Sequence, residues 1–277
     1  QPINQFYNFP STAVQLGSGT GAQPFKTVAD YENWRKRAAK IPAIFDQAIA
    51  NSREGVKHGV VQPKALMAKV VPQLDALIKD SADQTLFWGP VKNFPKDFSD
   101  ADKQRLTAEY KAMIEGELMP AYKRLRNFVA DEYMAQARTT SGLGALPNGS
   151  MWYAFNARNT TTTNLTPEQI HQIGLDEVAR IHGEIGGVMK QVGFKGSMQD
   201  FFKFMQNDPR FSFKDEKALL EYYRALEAKI NQKIPEQFSL IPKSPFEIRP
   251  VEPFRAKSAA GGQYYPPSDD GSRPGIF

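Results

Sequence analysis

Leu106-Thr107-Ala108-Glu109-Tyr110-Lys111-Ala112-Met113-Ile114-Glu115-Gly116-Glu117-Leu118-Met119-Pro120-Ala121-Tyr122-Lys123-Arg124-Leu125-Arg126-Asn127-Phe128-Val129 decides the fold class. Its apolar residues, Leu106, Tyr110, Met113, Ile114, Leu118, Tyr122, Leu125, Phe128 and Val129, recur in steps of three and four, the period of one helical face. Pro120 removes one backbone donor, yet the stripe continues beyond it, so the spacing predicts a kink. Upstream, Ser99-Asp100-Ala101-Asp102 offers a hydroxyl cap and an acidic first turn. One long helical stretch from about 99 to 133 follows, with a core-facing stripe.

Working toward the N-terminus, the same logic gives more helices. Thr27-Val28-Ala29-Asp30 resembles a capping box with a shorter acid and opens a helix over about 27–39. Pro42 fits a first helical turn, after which Ile44, Phe45, Ala48 and Ile49 repeat until Gly55 or Gly59. Pro63 opens a further helix carrying Leu66, Met67, Val70, Leu74, Leu77 and Ile78, with Pro72 as a second kink. Between about 81 and 98, Trp88-Gly89-Pro90 and Phe94-Pro95 mark an aromatic loop. Residues 1–26, rich in Asn, Pro, Gly and Ser, read as an extended lead-in.

Toward the C-terminus the pattern changes. Gly142, Gly144, Pro147 and Gly149 lead into Met151-Trp152-Tyr153-Ala154-Phe155, whose aromatic content predicts a strand. Thr166-Pro167-Glu168-Gln169 is the best helix start in the chain and predicts a helix to about Val192. Ser197-Met198-Gln199-Asp200 starts a short helix with Phe201, Phe202 and Phe204, and another runs from near Asp215 until Pro235 stops it. Ile241, Phe246, Ile248, Val251 and Phe254 then alternate with polar residues and prolines, as short edge strands do. The expectation is a mainly α protein with a minor β-sheet: a single domain over 1–277, helical over 27–135, mixed helices and short strands over 136–277. The end, Pro274-Gly275-Ile276-Phe277, reads as the first residues of a strand, and the chain is expected to be an incomplete part of a larger domain.

Composition narrows the function classes. Of 277 residues, 41% are hydrophobic and 23% charged, the ordinary balance of a globular protein. The net charge of +5 comes from basic residues interspersed with acidic ones, so no phosphate-tracking face for nucleic acid is expected. No stretch reaches the ~20 apolar residues of a membrane span. The absence of cysteine excludes disulfides, thiolate metal sites and a cysteine nucleophile.

Candidate chemistry is sparse. His58, His171 and His182 are the only histidines. His171 and His182 stand ~16 Å apart along one helix, too far to share an ion with ~2 Å bonds. The glycines of Leu16-Gly17-Ser18-Gly19-Thr20-Gly21 have no preceding strand and no Gly-Lys-Ser/Thr, so they do not read as a phosphate loop. Ser141 and Ser150 lack a nucleophile-elbow context. Adjacent acids such as Asp131-Glu132 and Asp269-Asp270 read as solvated groups.

Three strings occur in an informative order: Ala137-Arg138-Thr139-Thr140-Ser141-Gly142-Leu143; Asn159-Thr160-Thr161-Thr162-Thr163-Asn164-Leu165-Thr166-Pro167-Glu168-Gln169-Ile170-His171; and Tyr265-Pro266-Pro267 with Gly271-Ser272-Arg273-Pro274-Gly275-Ile276-Phe277. Together with Val251-Glu252-Pro253-Phe254-Arg255, they make the chain resemble the bacterial domain-of-unknown-function family eight-eight-five. Many members of that family are described as lipoproteins and look like zinc-dependent peptidases.

The resemblance implies a metal-dependent peptidase or amide hydrolase of the cell envelope, periplasmic or lipid-anchored, acting on peptides. The family's metal motif, a helix reading His-Glu, two residues, then Pro-Gly-His-His, follows the Pro-Gly-Ile-Phe strand. This chain stops before it. The resemblance therefore assigns no catalytic residue or cofactor to these residues, implies zinc for the intact protein, and makes the missing C-terminal part a partner. In that setting Arg138 and Arg273 would hold a substrate carboxylate or an oxyanion, or else pin loops. Tyr153, Tyr264 and Tyr265 would pack on substrate side chains or donate a phenolic proton, or else fill the junction of helix and sheet. Pro274–Phe277 would be an edge strand that takes up a peptide by strand addition. The alternative is a non-catalytic envelope module that binds peptides or other ligands.

Overall fold

A computed structural model describes residues 3–6, 8–257, 259, 261–269, 271 and 273–277. The fold is mainly helical with a small parallel pair of strands, as the periodicity predicts. The chain divides into two compact units, residues 1–147 with 251–262 and residues 148–250 with 263–277.

The first unit is built around the long stripe. Helix α6 (Asp100–Met113) passes through a π turn (Ile114–Leu118) into α7 (Met119–Asn127), then through a second π turn (Phe128–Tyr133) into α8 (Met134–Gln136). The first π turn sits immediately before Pro120. There the Met119 N–H donates to the Ile114 carbonyl, a five-residue step that reroutes the ladder just ahead of the missing donor. Every residue of the stripe is buried.

Helices α1 (Phe9–Gly17), α2 (Val28–Ala38), α3 (Ile41–Lys57) and α4 (Lys64–Leu77) contribute to the core with the stripe. Phe45 meets Tyr122 edge to face with ring centroids 4.9 Å apart, and Phe87 lies 6.0 Å from the same ring. Three buried phenols donate to carbonyls: Tyr122 Oη to Pro10 at 2.7 Å, Tyr110 Oη to Tyr31 at 3.1 Å, and Tyr31 Oη to Pro90 at 2.9 Å. Burial pushes the Tyr31 phenol up to about 12 and Tyr122 well above its ordinary value, so both remain protonated donors.

The extended lead-in expected over 1–26 is corrected by α1. Asn8 Oδ1 accepts from the Ser11 N–H at 2.8 Å, Pro10 occupies the first turn, and Ala13 and Val14 reach the core. The glycine run beside it serves close packing. A Cβ on Gly17 would come within 2.5 Å of both Phe87 Cδ1 and Trp34 Cζ2, and one on Gly89, in the one-turn helix α5 (Gly89–Lys92), within 2.1 Å of the Ser18 carbonyl oxygen. Pro72 lies inside α4, which continues to Leu77.

The second unit begins with the clearest departure from expectation. Met151–Phe155 forms part of α9 (Gly149–Thr161), not a strand. The helix is fixed at its ends by Asn148 and Thr162, both left-handed with φ near +55°, while its aromatic residues carry the β propensity that misled the reading. Helix α10 (Pro167–Gln191) starts on the expected capping box, in which Thr166 Oγ1 accepts from the Gln169 N–H at 3.2 Å and Gln169 Oε1 from the Thr166 N–H at 2.8 Å. Helix α11 (Met198–Asn207) presents Phe201 and Phe204 to Phe194. Helix α12 (Glu216–Gln237) runs two residues past Pro235, which sits in its last turn. Strands β1 (Phe246–Glu247) and β2 (Gly275–Ile276) pair in parallel. No strand lies in the middle of the chain among the described residues. A short helix, α13 (Pro253–Ala256), belongs to the first unit, where Phe254 packs on the core and Glu252 accepts from Gln15 Nε2 at 3.0 Å.

Gly17→Ala forces a methyl group into the Trp34–Phe87 stack and should cost about 1–3 kcal/mol in chemical denaturation. Tyr122→Phe, which removes one hydroxyl and keeps the ring, should cost about 1 kcal/mol. An unchanged midpoint for Gly17→Ala would show that the two rings yield freely.

Candidate functional site

The sequence-selected residues are distributed over both units. Arg138 belongs to the first unit, whereas Tyr153, Tyr264, Tyr265 and Arg273 belong to the second. Arg138 lies where the chain leaves α8. Its N–H donates to the Gln62 carbonyl at 3.1 Å and its own carbonyl accepts from the Lys64 N–H at 2.7 Å, a single parallel bridge with Pro63. Its guanidinium is turned into the following loop: Nε donates to Val61 at 3.0 Å, Nη1 to the Thr140 and Gly142 carbonyls, and Nη2 to Ser141 at 3.3 Å. Such a fork organises backbone carbonyls around one cation.

Tyr264, Tyr265 and Arg273 are brought together at the C-terminal sheet. Tyr265 exchanges backbone hydrogen bonds with Ile276, at 2.8 and 2.9 Å, as an antiparallel bridge on one side of β2. On the other side β1 pairs with β2, placing Phe246 opposite Gly275 and Glu247 opposite Ile276. The Gly275 and Phe277 N–H groups donate to Pro245 and Glu247, and the Arg249 N–H donates to Phe277. β2 is therefore hydrogen-bonded on both sides, by the β1 pairing on one and by the single Tyr265 bridge on the other. This limits the edge-strand expectation: β1, its flanking residues and the nearby Tyr265 take up the backbone groups of Gly275, Ile276 and Phe277, so among the described residues strand addition at β2 has no vacant edge to use.

Arg273 closes the turn that delivers β2. Its Nη2 donates to the Pro266 carbonyl at 2.9 Å and its backbone N–H to Ser268 Oγ at 2.9 Å. Tyr264 is exposed and stacks on Phe246 at 6.2 Å, both rings lying over Gly275. Tyr265 Oη donates to Gln263 Oε1 at 3.0 Å. Asp270 and Ser272 of the same motif lie outside the described residues. Tyr153 projects from α9, half exposed, with Trp152 and Phe155 on the same helix.

One feature of the first unit has no trace in sequence spacing. An open groove of about 580 Å³ runs between α3 and the second π turn, lined by Asp46, Arg53, Arg124, Phe128, Asp131 and Glu132 among others. Arg53 donates two 2.7 Å hydrogen bonds to Glu132 and lies 5.4 Å from the Phe128 ring centre, and Arg124 meets Asp46 at 3.3 Å. The hydrogen bond from Arg53 holds Glu132 below the ordinary carboxylate range. Both arginines are committed to carboxylates, and the groove pairs no nucleophile with a base. The residues that form it are some eighty positions apart in sequence.

No group of three or more His, Cys, Asp or Glu among the described residues could hold a metal ion. His58 Nε2 instead meets Glu54 Oε1 at 2.9 Å within one helical turn. Among the described residues, then, no ligand set fits the zinc that the resemblance implies for the intact protein. No described helix is long and apolar enough to cross a membrane.

Known proteins give a consistent frame. None of the curated proteins matches the sequence. Among solved structures, "The crystal structure of the putative lipoprotein from Colwellia psychrerythraea" is 25% identical, with a TM-score of 0.87 over 99% of this chain and 48% of that one. The chain thus spans about half the length of the solved protein that it matches. The family model described as "Bacterial protein of unknown function (DUF885)" matches residues 1–277 from end to end. On that match, supported by the shared fold, the chain belongs to the bacterial DUF885 family.

Proposed function

We propose that this chain is the scaffold and substrate-cleft portion of a longer cell-envelope hydrolase, a metal-dependent peptidase or related amide hydrolase, and that it is inactive alone. The observation that carries this reading is an exposed pair of aromatic side chains held on the C-terminal sheet of the second unit. Tyr264 stands beside β2, stacked on Phe246. Rigid, amphipathic rings of this kind suit the side chains of a peptide, and backbone-fixed elements hold them at low entropic cost. Membership of DUF885 and the solved relative of roughly twice the length support a catalytic centre supplied by further chain. In this reading zinc takes its ligands from outside these 277 residues. The envelope location rests on the lipoprotein description of the solved relative.

The deciding experiment incubates the longer polypeptide with a mixture of quenched fluorescent peptides before and after chelation. Cleavage that disappears on chelation and returns with added zinc is expected. Cleavage that survives chelation removes the metal from the reading, and peptide binding without cleavage makes the protein a binding module.

Two arginine substitutions separate architecture from substrate contact. Arg138→Ala should lower stability by about 2 kcal/mol in a urea melt, since it strips a charged donor from several carbonyls. Arg273→Ala should reduce peptide turnover more than tenfold with a smaller change in melting temperature. A lowered melting temperature with full turnover would make Arg273 a loop pin only.

A further inference from the structure

The second unit has a core too small for its helices. Its buried apolar side chains among the described residues are Met189, Phe201 and Ile248, whereas the stripe and its neighbours form an extensive core in the first unit. Long helices draw most of their stability from burying an apolar face, so α9, α10 and α12 have less cover than their sequences call for.

Helix α9 makes the case most sharply. Met151 is 72% exposed and Phe155 58%, with Trp152 and Tyr153 also exposed. At about 100° per residue, Met151 and Phe155 share one side, Trp152 stands a quarter-turn round and Tyr153 faces nearly opposite. From Asn156 onward the helix turns polar, but its first two turns carry apolar side chains over more than half the circumference, and such a segment belongs in an interior. On α10, Val178, Ile181 and Val188 form an exposed stripe with the less exposed Ile170 and Ile185, while Arg180 pairs with Glu177 and Glu184 on another side. On α12, Tyr222, Leu226 and Ile230 are exposed at four-residue steps.

We infer that the exposed faces of α9, α10 and α12 are the docking surface for the continuation of the same polypeptide, which packs helices around α9 and completes the core of the second unit. The inference rests on the reading of the chain as part of a longer protein. Two observations select this occupant. The solved relative superposes on 99% of this chain with 48% of its own, so an equal length of chain accompanies the same fold there. A second copy meeting a flat patch covers one side of a helix, whereas the apolar residues of α9 span more than half its circumference, which wrapping chain can enclose.

The lack of cysteine in this sequence gives a direct test. Single variants Phe155→Cys, Val178→Cys and Leu226→Cys are made in the longer polypeptide, with Gln172→Cys on the polar side of α10 as the exposed control, and thiol labelling is read by mass spectrometry at the introduced residue. The expected result is labelling at least tenfold slower at 155, 178 and 226 than at 172, unchanged on dilution to monomer. Equal rates at all four positions would overturn the inference, as would protection that disappears on dilution, which would assign the surface to a second copy. A native protein whose intact mass ends at Phe277 would overturn it outright. Because labelling does not depend on turnover, protection without peptide cleavage would retain the docking surface and reject the hydrolase reading alone.

Discussion

The first unit depends on keeping one apolar stripe in register through a proline. An α-helix repeats every 3.6 residues, and Pro120 deletes a donor in the middle of a run whose two halves must both face the core. The π turn over Ile114–Leu118 meets this demand by lengthening the hydrogen-bond step just before the proline, so Leu118, Tyr122 and Leu125 are all fully buried. The side chains seated on the stripe inherit this geometry. Tyr110 and Tyr122 bring their phenols into the interior only because the Tyr31 and Pro10 carbonyls are in reach, since an unpartnered buried hydroxyl would cost stability.

Local chemistry made much of this legible. The boxes at Thr27 and Thr166 work through atoms within three residues, and both helices begin where those residues indicate. Helix α1 was hidden because turn-forming residues surround a short apolar pattern, and its cap, Asn8, lies among the same residue types. Helix α9 was hidden because Trp152, Tyr153 and Phe155 favour strands in isolation, while the left-handed conformations at Asn148 and Thr162 that delimit it depend on their surroundings. The pairing of β2 could not be read from Pro274–Phe277 alone, because β1 and the Tyr265 bridge lie outside that segment.

The candidate site was legible only as a set of residue types. The ordered strings around Arg138 and Arg273 mark segments that the fold constrains, and the geometry gives a physical reason for that: Arg138 gathers four backbone carbonyls of irregular loops and Arg273 two. Carbonyls in such loops lack the ladder partners of helix or sheet and require a donor from somewhere. The ionic groove beside Phe128 shows the complementary limit. Arg53 and Glu132 meet through the packing of α3 against the second π turn, and nothing in their sequence neighbourhoods announces the pair.

The return of residues 251–262 to the first unit has a consequence for the order in which the molecule is made. A ribosome delivers the whole segment 148–250 before Glu252 can bond Gln15 or Phe254 can seat on the first core. It must then deliver residues 263–277 before β1 gains its partner. The first unit thus waits for residues that follow most of the second, and the second waits for residues that follow all of the first, so the nascent chain holds two unfinished bodies until residues 251–262 emerge.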